Sequence, residues 1–64
     1  MNKGDKVHYQ PKHYGNHYEN GIVKETREDG AVFVVYHCDN KWDKYENYTA
    51  ARTEPSDLKA GWRE

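Results

Sequence analysis

Apolar positions along this chain fall in short clusters separated by polar, glycine- and proline-containing stretches. The longest of them is Ala31-Val32-Phe33-Val34-Val35-Tyr36. It is rich in β-branched side chains and follows Asp29-Gly30, so the pattern predicts a strand over residues 31–37. Being apolar on both faces, it is expected at the centre of the sheet, covered on each side. Residues 3–9 predict a shorter strand, entered through Gly4, with Val7 and Tyr9 on one face. Pro11 and the polar residues up to Asn16, with Gly15 among them, break that strand into a loop. A second strand is expected over residues 18–26 around Ile22-Val23, followed by a hairpin turn at Arg27-Glu28-Asp29-Gly30. Residues 48–53 predict a fourth strand. Pro55-Ser56-Asp57-Leu58 predicts one helical turn with Ser56 as its cap, and Gly61-Trp62 a short closing strand. A three-stranded sheet with a C-terminal helix competes, but Pro55 and Gly61 leave that helix little length.

Composition decides whether such strands can hold together. Hydrophobic residues make up 34% of the 64 and charged residues 33%, a balance that in other chains signals disorder. The six Tyr, two Trp and one Phe argue for folding, because each aromatic ring buries roughly 150–250 Å². They stand in for leucine and isoleucine, of which this chain has one each, and a core of valine and aromatic rings suits strands. The expectation is one domain over residues 1–64, mostly β, forming a small SH3-like barrel of four to five strands with one short helical turn. No apolar run approaches the roughly 18 residues of a membrane span. No apolar stretch follows Met1-Asn2-Lys3-Gly4-Asp5, so no secretory signal is expected. Cys38, the single cysteine, allows no intramolecular disulfide and fits a reducing, cytoplasmic setting.

The net charge of −1 gives no bulk attraction to nucleic acid or an anionic membrane. Its distribution is uneven. Residues 1–18 carry Lys3, Lys6 and Lys12 against Asp5, with His8, His13 and His17. Residues 19–30 carry Glu19, Glu25, Glu28 and Asp29 against Lys24 and Arg27. Solvated surface accounts for both groups in the plainest reading.

Aromatic residues are the strongest candidate for chemistry. Tyr14 and Tyr18 belong to the first loop and its exit, Tyr36 ends the long strand, and Trp42, Tyr45 and Tyr48 follow at intervals of three. In a small barrel such loops gather at one end, and exposed rings there stack on bases or surround a quaternary ammonium. Tyr9, Phe33 and Trp62 are assigned to the core. Metal and nucleophile sites are not supported. His13 and His17 lack a helix to align them, and His37 and Cys38 point to opposite faces of a strand. Cys38 is read as a half-buried structural thiol at a strand end, and isolated glycines provide no phosphate-binding loop.

The stretch from Gly21 to Val35-Tyr36, then Asn40, then Ser56-Asp57-Leu58, resembles a Tudor domain across roughly residues 4–62. The resemblance implies an SH3-like barrel in which Tyr36 and Tyr18 take part in a methyl-lysine or methyl-arginine cage. The chain departs from that pattern at His37-Cys38-Asp39-Asn40, which lacks the family's cage tyrosine, and in the added residues 41–54. The later stretch from Trp42 to Ala50, with Asp57-Leu58 and Gly61-Trp62, resembles small bacterial and prophage-type proteins.

These features predict a non-enzymatic interaction module without cofactor or metal. It would bind a protein or peptide through an aromatic patch drawn from Tyr14, Tyr18, Tyr36, Trp42 and Tyr45. The alternative is weak nucleic-acid binding, with Lys3, Lys6 and Lys12 on phosphates and Tyr14 or Tyr18 on bases. A third reading is an assembly component that pairs through an exposed edge strand.

Overall fold

The computed structural model describes residues 1–12 and 17–63. Its elements, in chain order, are β1 (Lys6–Tyr9), β2 (Glu19–Thr26), β3 (Val32–Val35), a 3₁₀ segment (Trp42–Asn47), β4 (Ala51–Thr53), a 3₁₀ turn (Pro55–Asp57) and β5 (Leu58–Ala60). The strands form one antiparallel, five-stranded sheet in the order β4-β3-β2-β1-β5. This arrangement is mostly β, as the apolar pattern predicts, and compatible with a small barrel-like fold. The ladder itself stays open, because the edge strands β4 and β5 do not pair with each other. None of the helical segments among the described residues is long and apolar enough to cross a membrane.

β2, and not β3, occupies the centre. It is the longest strand, and its length lets it pair with β1 through one half and β3 through the other. β3 is still an interior strand, flanked by β2 and β4, with Val32, Val34 and Val35 buried. Between Val23 and Glu25 the β2–β3 register shifts, the signature of a bulge that re-aims the chain. Lys24, at the shift, donates from Nζ to the Tyr48 carbonyl at 2.8 Å. The Trp42–Asn47 segment also packs against β2.

Register sorts the side chains into layers. Val7, Val23, Val32, Val34 and Leu58 form one buried cluster, with Tyr9 and Tyr36 packed against it. Ile22 and Val35, paired in register and both buried, lie on the other side of the sheet from the Val23–Val34 pair. Thr53 is the one polar side chain buried among the described residues, and no buried side-chain N or O atom among them lacks a partner.

The β2–β3 hairpin closes as its sequence predicts, with one difference. Gly30, at φ +93°, alone takes the left-handed conformation at the turn, while Gly30 N–H bonds to the Arg27 carbonyl and Arg27 N–H to that of Ala31. That is a three-residue loop with glycine at the left-handed position. The Ala31 N–H, donated to the Asp29 carboxylate at 3.0 Å, is the main reason Asp29 is held below the usual carboxylate value, and Arg52 adds to it.

Other boundaries move. The fourth strand covers only Ala51–Thr53, and residues 42–47 coil into two 3₁₀ turns kinked at Lys44. Ser56 is not the cap of the second turn. Glu54 holds that position without a side-chain bond, and Pro55 starts the turn, where its missing N–H is no loss. The final strand is Leu58–Ala60, ending at Gly61, whose φ is +81°. Cys38 is fully rather than half buried, at 1% exposure, with its thiol free.

Candidate functional site

Tyr9 ends β1, and its register partners are Glu19 on β2 and Leu58 on β5. Tyr36 follows β3 directly. The two rings meet edge to face, with centroids 6.1 Å apart and planes at 65°. They form one wall of an open cleft of about 410 Å³, lined further by Glu19, Ala51, Arg52, Thr53, Glu54 and Asp57. β1, β2, β4 and the Pro55–Asp57 turn each contribute a residue, so the cleft exists only in the folded sheet.

Tyr36 is anchored through its hydroxyl, 2.8 Å from Thr53 Oγ1. Thr53 Oγ1 also lies 3.3 Å from the Ala51 carbonyl oxygen, and either hydroxyl of the Tyr36–Thr53 pair can donate. Burial pushes the Tyr36 phenol above its ordinary value of 10.0. The Thr53 bond opposes that rise, and the negative charge of Glu19 adds to it. A raised phenol in the folded state binds its proton more tightly than in the unfolded chain. Its stabilisation is complete below pH 10 and is lost as pH climbs from there through the folded-state value. Urea midpoints measured from pH 8 to 11 are therefore expected to fall on the alkaline side, and to fall less in Tyr36→Phe. Parallel curves for the two proteins would show that the Tyr36 phenol does not contribute.

The cleft is electrically one-sided. Glu19, Glu54 and Asp57 line it, while the single cation among its described lining residues, Arg52, is turned to Asp29 with Nη2–Oδ2 at 3.2 Å. Tyrosine faces and carboxylates together suit a positively charged guest.

Of the described aromatic residues expected in a patch, Tyr36 alone lines this cleft. Tyr14 and His13 lie outside the described residues. Tyr18 is on the other side of β1, edge-on to His8 at 6.4 Å and beneath the Arg63 guanidinium at 5.0 Å. Trp42 meets Trp62 at 4.9 Å, yet also shares with Tyr36 a small hollow of about 210 Å³ beside Cys38, Asp39 and Asn40. Asp39 and Asn40, at φ 53° and 63°, make the turn that places it, closed by Lys41 N–H on the Cys38 carbonyl at 2.8 Å. Tyr45 is half buried, its hydroxyl turned toward Gly4. The patch is thus divided over several surfaces.

The expected phosphate-contacting lysines are also dispersed. Lys3 pairs with Glu46 at 3.5 Å, Lys12 is exposed, and Lys6 sits 4.7 Å over the Trp62 ring. Trp62, assigned to the core from sequence, is only half buried and donates its indole N–H to the Gly21 carbonyl at 2.7 Å. Phe33 is also half buried, beneath Arg27 at 5.0 Å. Among the described residues no three His, Cys, Asp or Glu side chains gather where a metal could bind.

Sequence reasoning missed Tyr9, Glu19, Glu54 and Asp57 as site residues. Tyr9 carried a core assignment, and the three acids stand far apart along the chain with no shared motif. The one usable signal was that β1 and β2, once paired, bring the Tyr9 and Glu19 ends together. No protein-family model, curated protein or solved structure matches this chain.

Proposed function

We propose that this domain is a non-enzymatic interaction module whose Tyr9–Tyr36 cleft receives a cationic side chain, lysine or arginine, from a protein or peptide partner. The observation that carries the reading is the pair of tyrosine rings set among Glu19, Glu54 and Asp57 with their nearest cation drawn off to Asp29. Desolvated cation–aromatic contacts contribute about 0.5–2 kcal/mol, and aromatic residues concentrate binding energy at interfaces. Trp42 extends the surface through the hollow it shares with Tyr36, while Tyr18, Tyr45 and Tyr14 would contact only a partner large enough to reach beyond it. The strand order, with a 3₁₀ turn before the last strand, supports an SH3-like, Tudor-like relationship. That relationship would make a methylated lysine or arginine one form of the guest.

A lysine- and arginine-rich peptide titrated into ¹⁵N-labelled protein is expected to shift the amides of Tyr9, Glu19, Tyr36 and Thr53. An acidic peptide should leave them in place. Glu19→Gln combined with Glu54→Gln should keep the spectrum dispersed and weaken binding about 3–10-fold, since exposed charge pairs contribute roughly 0.2–1 kcal/mol each. Equal affinity in the double variant, or no shift at the cleft, would overturn the reading.

A further inference from the structure

Charge is distributed unevenly about β1. Lys6 and His8 alternate with Val7 and Tyr9, so they leave the strand on the side away from the cleft. Register sets Lys59 of β5 beside His8 on one flank and Asn20 of β2 on the other. Asn20 holds the backbone of Arg63 from both sides, donating from Nδ2 to its carbonyl at 2.7 Å and accepting its N–H on Oδ1 at 2.9 Å. That clamp puts the guanidinium over Tyr18 at 5.0 Å. His8 Nδ1 bonds to the Gly61 carbonyl at 2.8 Å, which secures the preceding turn. Lys6 stands over Trp62. Among the described residues, Lys6, Lys59 and Arg63 enter no ion pair.

We propose that this face, built from Lys6, His8, Tyr18, Lys59, Trp62 and Arg63, binds single-stranded nucleic acid. Cations there alternate with half-buried rings in the pattern that a strand with splayed bases can use. Lys59 takes a phosphate directly, while bases stack on Tyr18 and Trp62 by displacing Arg63 and Lys6 from those rings, which frees both cations for further phosphates. A duplex keeps its bases stacked on one another and presents mainly phosphates, leaving the rings unused. The acidic cleft on the opposite side repels the same ligand, which fixes the orientation of binding. Basic residues from distant parts of the chain make up this face, which shares only Lys6 with the Lys3, Lys6, Lys12 set that the N-terminal sequence suggests.

The test is an amide titration of the full chain with a short oligothymidylate at low salt, beside a duplex of equal length. The oligothymidylate is expected to shift His8, Tyr18, Lys59, Arg63 and the Trp62 indole. Binding should weaken with salt at a log–log slope of about −2, from roughly −0.7 for each phosphate contacted. Lys59→Glu, at an exposed edge position, should keep the fold and lower affinity about tenfold at low salt. Unmoved resonances on this face would overturn the proposal, as would unchanged affinity in Lys59→Glu. Equal binding of the duplex with the same shifts would overturn it too, reducing the face to a phosphate contact. The cationic-peptide reading is scored on Tyr9 and Tyr36 and stands or falls separately.

Discussion

Gly21→Ala is expected to destabilise the domain by about 3 kcal/mol, roughly a third or more of its total stability. A Cβ on Gly21 would stand 2.5 Å from Val34 Cγ1, 2.7 Å from the Val35 carbonyl oxygen and 3.0 Å from Tyr36 Cδ1. The carbonyl belongs to the β2–β3 ladder and cannot rotate away. Val34, at 0% exposure, is β-branched and has few alternative rotamers. Overpacking of this kind costs typically 1–3 kcal/mol and occasionally more. A domain of this length holds only about 3–10 kcal/mol in total. The same residue's carbonyl anchors Trp62, so a displaced backbone there disturbs both binding faces. Gly30→Ala is the control. Gly30 has a positive φ of +93° and open space around it, so its substitution should cost only about 1–2 kcal/mol of backbone strain. Urea unfolding followed by tryptophan fluorescence checks both, and a Gly21→Ala midpoint above that of Gly30→Ala would refute the close approach.

Leu58→Ala should lower stability by about 2–4 kcal/mol, the range for a buried leucine truncated to alanine. Leu58 is the only leucine in the chain, 6% exposed, and joins the central cluster from β5. β5 is a three-residue edge strand bonded to β1 alone, so few other contacts can compensate. Each kcal/mol shifts the melting temperature of a 60–100-residue domain by about 4–8 °C, which places the expected drop between about 8 and 32 °C. Leu58→Met should lose less than about 1.5 kcal/mol, because it keeps the volume. Leu58 also faces Tyr9 across the ladder, so the cleft should loosen before the sheet melts. A drop below about 4 °C for the alanine variant would mean that β5 lies outside the cooperative core.

Local chemistry made most of the elements readable in advance. Val7 and Tyr9, Ile22-Val23, and the Ala31–Tyr36 run marked strands by period and β-branching. Asp29-Gly30 marked the hairpin, and Pro55 the turn before the last strand. Each of these signals is contained within a few consecutive residues. Ser56 does not cap the turn, because Pro55 is fitted to its first position, which moves the cap to Glu54. Residues 42–47 carried aromatic rings at intervals of three but no apolar alternation, so they were not distinguishable from a loop.

What the chain's own local pattern settled was that it folds, that it folds as short antiparallel strands, and where its main turns fall. Strand order, and with it both candidate surfaces, depended on pairings between residues distant in sequence. Tyr9 meets Tyr36, Asn20 clamps Arg63, and Trp62 reaches Gly21, contacts with no trace in any single segment. The length of β2 lets it serve two partners at once, so it takes the centre from the more apolar β3. A sheet of period two assigns every side chain to a face only after register is set. Register brought Glu19 beside Tyr9 and Lys59 beside His8, separating acid from base on a chain whose net charge is close to zero.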